Sequence, residues 1–293
     1  MTTARTLSLT ALAMVAFASN SILCRLALRQ TSIDPATFTL VRILSGAIAL
    51  CLVMQMRREK SGKAGNWLST FALFAYAAAF SFAYLQLPAG TGALLLFGAV
   101  QATMISWGLR KGEHLDAIQV VGVIVAITGL TVLLVPGLSA PPLFDSVIML
   151  IAGIAWAIYS LRGRGEKHPV GATAGNFLRA VPFAVVLIVV ARPWIKLDAS
   201  GVFYAALSGA ITSGLGYVIW YRALPGLRAA SAATVQLSVP VLAATGGIIL
   251  LGERISLRYV LASLAVIGGI ALVVIEKAKK SKKEELGSVT CDG

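Results

Sequence analysis

The chain has 293 residues, of which 58% are hydrophobic and 13% are charged, and its mean hydropathy is +0.85. Soluble domains carry about 25% charged residues, so the composition excludes an ordinary soluble domain and indicates an integral membrane protein. The net charge is +13. The basic residues lie between apolar segments and in a lysine-rich tail, which is typical of membrane orientation signals rather than of nucleic-acid binding.

Apolar segments long enough to cross a bilayer follow one another along the chain. A hydrocarbon core of about 30 Å needs about 20 apolar residues per helix, and breaks such as Asp34-Pro35 and Pro141-Pro142 separate the segments. We predict an all-α integral membrane protein with ten transmembrane helices. The predicted spans are Leu7–Leu28, Pro35–Met56, Trp67–Leu87, Gly90–Leu109, Ile118–Val135, Phe144–Leu161, Gly171–Ala191, Gly201–Ala223, Ala229–Leu251 and Ser256–Ile275.

The distribution of lysine and arginine predicts the orientation. With the N-terminus in the cytoplasm, most of the 25 basic residues fall in cytoplasmic connections or in the tail. The opposite side holds only Arg25, Arg29, Arg192, Lys196, Arg254 and Arg258. Cytoplasmic loops are enriched in basic residues, so we expect both termini in the cytoplasm of a bacterium and a multi-pass chain in its inner membrane.

The two halves of the chain repeat each other. A shift of 140 residues places Gly112-Glu113 on Gly252-Glu253, and a shift of 137 places Arg42 on Arg179. We predict a first five-helix repeat in residues 1–142, a second in 143–276 and a basic cytoplasmic tail in 277–293. Because five is odd, the second repeat enters the membrane inverted, an arrangement known from secondary transporters.

This pattern resembles EamA-type members of the drug/metabolite transporter superfamily. The resemblance rests on a Gly-Glu pair between the last two spans of each half, on Pro240 and on Gly268-Gly269. It covers about residues 7–276, and the whole chain is similar to YddG-type exporters of aromatic and other neutral amino acids. The resemblance implies alternating access to a site lined by spans 1, 3, 4, 6, 8 and 9.

Acidic residues and histidines are missing from the predicted membrane interior. Every aspartate and glutamate falls in a loop, in the tail or at a span end, and His114 and His168 fall in predicted loops. Proton coupling usually needs an ionisable residue at the site, so the pattern favours facilitated movement of a neutral or zwitterionic solute. The sequence also lacks a nucleotide-binding motif, a metal-ligand cluster and a catalytic triad, so we predict neither an enzyme nor a cofactor.

Two arginines lie seven to eight residues inside predicted spans, where a charge is costly and indicates function. Arg42 and Arg179 either bind a substrate carboxylate or extend to the headgroups as part of the scaffold. Glu113 and Glu253 are read either as a proton or gate site or as helix-terminating residues, with Arg254 or Arg258 as a partner for Glu253.

Aromatic and amide side chains complete the candidate site, with interfacial belts and core packing as the alternative explanation. Tyr84 and Tyr221, near span ends, fit such a belt. The candidate substrate-binding residues are Asn20, Ser21, Arg42, Tyr76, Phe80, Phe97, Gln101, Trp156, Tyr159, Asn176, Arg179, Tyr217 and Gln236.

The sequence therefore predicts an exporter of neutral amino acids or related metabolites, with a small-molecule substrate and the lipid bilayer as its partners. The alternatives are an exporter of apolar drugs and an intramembrane enzyme or sensor that transports nothing. The oligomeric state and the exact substrate are open.

Overall fold

The computed structural model describes residues 3–57, 65–112, 114–135, 140–163, 166, 168–224, 227 and 235–289. These residues are helical and contain no strand. The helices are α1 (Thr3–Gln30), α2 (Pro35–Met56), α3 (Trp67–Ala83), α4 (Ala89–Arg110), α5 (Ala117–Leu134), α6 (Leu143–Gly163), α7 (Pro169–Ala191), α8 (Ala199–Ala223), α9 (Ser238–Leu251) and α10 (Leu257–Val289).

Eight of these helices are long and apolar enough to cross a membrane, counted over the described residues. The two shorter apolar helices are α3 and α9. The predicted ninth span begins at residue 229, but residues 228–234 lie outside the described part of the chain. The all-helical membrane class is thus confirmed, whereas a count of ten spanning helices stays a prediction.

Short polar side chains fix where several helices begin. The Asp34 carboxylate accepts hydrogen bonds from the backbone N–H groups of Ala36 and Thr37, both at 2.9 Å, at the start of α2. Asn66 caps α3 and Asp198 caps α8 in the same way. These side chains satisfy helix N–H groups that have no partner within the helix.

The bundle is apolar on its outside and buries several polar side chains at its centre. Large apolar side chains such as Val190, Ile249 and Leu264 are more than two thirds exposed. By contrast, Asn20 and Arg42 are buried at 5% and 2% exposure. A soluble protein shows the opposite arrangement, so the exposed surface suits contact with lipid.

Helices of one half pack against helices of the other half in a symmetric pattern. Helix α1 packs against α8 and α9, and α6 packs correspondingly against α3 and α4. Helices α2 and α7 pack against each other, as do α5 and α10. If each helix is replaced by its counterpart five helices away, so that α1 becomes α6 and α3 becomes α8, the same set of contacts is obtained. This packing supports the predicted repeat.

The last helix of each half forms the most extensive helix pair, α5 with α10, and glycines allow its close approach. A Cβ atom at Gly122 would lie 2.6 Å from the Gly269 carbonyl oxygen, and one at Gly269 would clash with the Gly122 carbonyl oxygen. The neighbouring Gly268 has open space around the equivalent position. Small residues at helix contacts are typical of packing within membranes.

We expect Gly269→Ala and Gly268→Ala to have opposite effects on thermal stability in detergent. Gly269→Ala should destabilise the protein by about 1–3 kcal/mol because the added methyl group overpacks the contact. Gly268→Ala, the matched control, should be neutral or stabilising by up to about 1 kcal/mol because alanine favours the helix. Equal melting temperatures for the two variants would contradict this packing.

Candidate functional site

A small closed pocket lies at the centre of the bundle, between five helices. It has about 20 Å³ of free volume, which is room for about one water molecule. Helices α1, α3, α4, α6 and α8 line it, as predicted, whereas α9 does not contribute. The lining residues are Phe17, Asn20, Ser21, Tyr76, Phe80, Leu96, Phe97, Trp156, Thr212, Ser213 and Tyr217.

Arg42 supplies a buried positive charge next to this pocket. Its Nη2 donates to the Tyr76 hydroxyl at 2.9 Å, and its Nε donates to Ser213 Oγ at 3.3 Å. Its guanidinium carbon lies 5.0 Å from the ring centroid of Tyr76 and 4.8 Å from that of Phe80. The remaining nitrogen, Nη1, is buried and has no hydrogen-bond partner. Such an unsatisfied buried donor is costly, so it marks the place where a ligand would be stabilised most.

Asn20 connects α1 with α3 and α8 beside the arginine. Its Nδ2 donates to the Tyr76 hydroxyl at 3.2 Å, and its Oδ1 accepts from Ser208 Oγ at 2.7 Å and from Thr212 Oγ1 at 3.2 Å. The Tyr76 hydroxyl therefore accepts hydrogen bonds from both Asn20 and Arg42. This shared acceptor fixes the position of the guanidinium relative to α1.

Aromatic rings enclose the rest of the pocket. The Trp156 ring centroid lies 4.9 Å from that of Tyr76, 5.1 Å from that of Tyr217 and 6.4 Å from that of Phe17. Phe80 lies 5.4 Å from Tyr76. These distances are typical of aromatic packing, and the rings form most of the apolar surface of the pocket.

The π-helical segment of α8 brings Ser213 to the arginine. Residues Ser208–Leu215 follow this wider helical winding, which is often found at functional sites. Within it, a Cβ atom at Gly209 would clash with Ser45 Oγ and with the Arg42 carbonyl oxygen. The glycine thus lets α8 approach α2 closely at the level of the buried charge.

The structure brings eight of the predicted site residues together. Asn20, Ser21, Tyr76, Phe80, Phe97, Trp156 and Tyr217 line the pocket, and Arg42 is hydrogen-bonded to its wall. Sequence reasoning missed Phe17, Leu96, Ser208, Thr212 and Ser213 as site residues. The sequence did offer one signal for Ser208 and Thr212: two hydroxyl residues one helical turn apart in an apolar span indicate a polar face directed to the interior of the bundle.

Five predicted residues lie elsewhere. Tyr159 and Asn176 line a separate cleft near the start of α3, where the Asn176 Oδ1 accepts from the Asn66 backbone N–H at 3.0 Å. Arg179 is half-buried and lies beside Gly65. A Cβ atom added at Gly65 would be 2.8 Å from the Arg179 Nη1. Gln101 is buried in α4 and Gln236 is half-buried before α9, and neither lines the central pocket.

A second polar cluster lies one helical turn away from the pocket, around Arg25. The Arg25 guanidinium forms an ion pair with Glu253 (Nε to Oε1, 3.2 Å) and donates to the carbonyl oxygens of Tyr84 and Leu85 at 2.9 and 2.7 Å. The other Glu253 oxygen accepts from the Ala89 N–H at 2.8 Å, at the start of α4.

Three expectations about this cluster were wrong. Glu253 pairs with Arg25 rather than with Arg254 or Arg258, and it caps α4 rather than α10. Arg258 instead donates to the Val135 carbonyl oxygen at 2.6 Å. Tyr84 is not interfacial: it is fully buried, because its ring packs on Gly92 and its hydroxyl donates to the Ala89 carbonyl oxygen at 3.2 Å. Glu113 lies outside the described residues.

A larger cavity of about 330 Å³ adjoins the Glu253 side of this cluster. The connections α3–α4, α5–α6 and α9–α10 line it through Gln86, Pro88, Pro141, Arg254 and Ser256, among others. We call this end of the bundle the Arg25 face. The opposite end, where Asn66 and Arg162 lie, is the Arg162 face.

The fold and the site define a polytopic helical membrane protein with a closed, positively charged and aromatic pocket between its halves. The sequence matches the EamA-like transporter family over residues 4–135 and again over residues 144–275. The chain therefore belongs to the EamA-like transporter family. It is a membrane transport protein of the drug/metabolite transporter superfamily and not an enzyme.

Relatives agree with this assignment. An uncharacterized protein of Pseudomonas aeruginosa is 53% identical over 96% of this chain and 98% of its own length. An uncharacterized transporter of Archaeoglobus fulgidus is 24% identical over 92% of this chain and 97% of its own length. A solved crystal structure shares the fold, with a TM-score of 0.66 at 16% identity over 92% of this chain and 96% of that chain.

We expect Tyr76→Phe to destabilise the protein by about 1–3 kcal/mol, because it leaves two buried donors without their acceptor. Those donors are Arg42 Nη2 and Asn20 Nδ2. Tyr159→Phe is the matched control, since its hydroxyl makes a long 3.5 Å contact with Thr173. Thermal unfolding in detergent measures both, and a larger loss in Tyr159→Phe would contradict the assigned network.

Proposed function

We propose that the protein is a secondary transporter that exports neutral amino acids with aromatic or other apolar side chains, or related carboxylates, by alternating access. One observation carries this proposal: the buried Arg42 guanidinium is hydrogen-bonded to two residues of an aromatic pocket, Tyr76 and Ser213, and its third nitrogen has no hydrogen-bond partner. A carboxylate supplies both the missing acceptor and the missing negative charge. No aspartate or glutamate lines the described pocket.

The aromatic wall supports an apolar side chain on the substrate. Trp156, Tyr217 and Phe17 line the pocket and pack against one another, so they present ring surface rather than charge. Asn20 and Ser21 lie on the same pocket wall and provide neutral polar groups for an amino group. The buried positive charge disfavours organic cations, because like charges repel strongly in a medium of low dielectric constant.

We take the two five-helix halves, residues 1–142 and 143–276, as the moving units. Two observations support this: the family matches the chain twice, and the helix contacts between the halves are symmetric. An inverted arrangement of such halves offers two related conformations around one site. The distribution of lysine and arginine supports a bacterial inner-membrane location with both termini, including the tail 277–293, in the cytoplasm. The Arg25 face is then extracytoplasmic.

The present pocket of about 20 Å³ is far too small for an amino acid. In this proposal the structure is therefore an occluded form, and the substrate site expands when the halves move apart. Outward movement is the direction that the family resemblance implies. No ionisable acid or histidine lines the pocket in the described part of the chain, so the proposed transport is facilitated rather than driven by protons.

The test is counterflow of labelled phenylalanine, methionine and threonine into liposomes that contain the purified protein, with and without a pH gradient. We expect saturable uptake that the gradient does not change. Uptake that collapses without the gradient would overturn the facilitator mechanism. Absence of flux for every amino acid would overturn the substrate class and favour apolar drugs.

The role of Arg42 is tested with paired competitors, phenylalanine and phenylalaninamide. In the wild type, phenylalanine should inhibit counterflow at least about tenfold better than the amide, since only the acid offers a charged acceptor. Arg42→Gln should remove most of this preference by weakening the acid alone.

Arg110→Gln is the control, because Arg110 is exposed at the end of α4. An Arg42→Gln protein that retains the full preference for the acid would exclude the proposed carboxylate contact. Because both ligands are measured on the same variant, a general loss of folded protein would weaken inhibition by both equally, whereas loss of the carboxylate contact would weaken inhibition by phenylalanine alone.

A further inference from the structure

An apolar groove of about 150 Å³ lies between α4 and the α5–α10 pair. Among the described residues, Ser106 is the single polar side chain in its lining. Leu109 and Ile127 line it and are 43% and 57% exposed. All three helices are long and apolar enough to cross a membrane. The groove therefore opens onto the part of the surface that suits contact with lipid.

The groove is as deep as one leaflet of a bilayer. It ends near the middle of α4 at Gly98, where an added Cβ atom would lie 3.4 Å from Leu130 and 3.7 Å from Val266. From Gly98 to Leu109 its lining extends about 16 Å along α4, at 1.5 Å per residue. Half of a hydrocarbon core of about 30 Å is about 15 Å. The groove thus runs from the level of the bilayer centre to one membrane surface.

That surface is on the Arg162 face. Helix α4 begins at Ala89, whose N–H contacts Glu253 on the Arg25 face, so α4 ends at Arg110 on the opposite face. A volume of about 150 Å³ spread over this length makes the groove narrow. A hydrocarbon chain fits such a space, whereas a helix, about 10–12 Å across with its side chains, does not.

Basic side chains lie where the groove reaches the surface. Arg110 follows Ser106 by one helical turn on the groove side of α4, and Lys111 follows Trp107. Both basic residues are exposed, and the Lys111 Nζ lies 5.4 Å from the centroid of the Trp107 ring. The Trp107 side chain is 47% exposed. Exposed tryptophans are typical of the headgroup level, and basic residues at that level attract anionic lipids.

Acidic side chains described at the same helix ends have partners within the protein. The Asp116 carboxylate accepts a hydrogen bond from the Gln119 backbone N–H at 2.9 Å and caps α5. Glu276, at the membrane end of α10, also interacts within the protein. The exposed pair Arg110 and Lys111 therefore gives the mouth of the groove a positive charge.

We propose that this groove binds an anionic phospholipid of the leaflet on the Arg162 face. One acyl chain fills the groove up to Gly98, and Arg110 and Lys111 bind the phosphate of the headgroup. Within a bilayer the chain gains close packing rather than hydrophobic stabilisation, because other lipid tails are equally apolar. The two basic residues then make the site selective for a negatively charged headgroup.

The lipid site is separate from the proposed substrate site. Phe97 lines the central pocket, whereas Arg110 lies about 20 Å further along α4, at 1.5 Å per residue. Lipid binding can be measured without any transport. Failure of the amino-acid proposal therefore leaves the lipid proposal to be decided by its own experiment.

The experiment is native mass spectrometry of the purified protein in detergent, titrated with phosphatidylglycerol or with phosphatidylcholine of the same chains. We expect one tightly bound phosphatidylglycerol per chain, with an affinity at least about fivefold above that for phosphatidylcholine. Glycerol phosphate should not compete, because it has no acyl chain. Equal affinities for the two lipids, or full competition by glycerol phosphate, would overturn the proposal.

The headgroup contact is tested with Arg110→Gln. The affinity for phosphatidylglycerol should fall about fivefold, whereas that for phosphatidylcholine should not change. Arg222→Gln is the matched control, because Arg222 is also exposed at a helix end on the Arg162 face but does not line the groove. An unchanged affinity in Arg110→Gln, or an equal loss in both variants, would contradict the assigned contact.

The chain contact is tested with Ala102→Phe. Ala102 lines the groove and is exposed, so the ring should occupy the space of the acyl chain and lower the affinity for both lipids at least about tenfold. Ala11→Phe, at an exposed position of α1 outside the groove, is the matched control. Full lipid binding by Ala102→Phe would overturn the proposal. A dimer without lipid that Ala102→Phe converts to a monomer would replace the lipid by a second copy of the chain.

Discussion

The structure depends on one buried charge. An arginine in the membrane interior costs several kcal/mol unless polar groups surround it, and Arg42 is 2% exposed. Its position constrains the helices around it: Tyr76 on α3 and Ser213 on α8 must reach the guanidinium, and Gly209 must leave α8 close enough to do so. Asn20 then extends the network to α1. Helices from both halves are thus held around one cation.

The network provides hydrogen-bond acceptors for two of the three guanidinium nitrogens. The third, unpaired nitrogen is what favours a ligand-binding role for Arg42 over a purely structural one. Protein interiors normally pair their buried donors, and the repeat-related Arg179 lies near the Gly65 backbone at the periphery rather than in the pocket. The two halves therefore place their repeat-related arginines in different surroundings. Only the first half places its intramembrane arginine at the centre, so sequence symmetry does not imply two equivalent ligand contacts.

The helices and the central position of the site were predictable from sequence because apolar length and the repeat determine them. Asn20, Tyr76 and Trp156 were predicted as candidate site residues because each lies deep in a span. A polar side chain is energetically costly there, and a large aromatic ring is well placed to line a cavity. The Arg25–Glu253 pair was not predictable, because its partners are 228 residues apart and Arg25, near the end of the first predicted span, was counted with the basic residues of the side opposite the cytoplasm. Only packing shows that α1 continues to Gln30 and that Tyr84 is buried between α3 and α4.

The two polar clusters also differ in what they bind, and this difference follows from their surroundings. Arg25 has a carboxylate from the protein itself and two carbonyl acceptors, so its charge is satisfied within the protein. Arg42 has no such carboxylate within the described pocket, and one of its nitrogens has no hydrogen-bond partner. An arginine whose charge is paired with a carboxylate of the protein suits a structural contact between helices, because that contact stabilises it without a ligand. An arginine whose last donor has no protein acceptor suits a substrate site, because only the arriving ligand completes its hydrogen bonds.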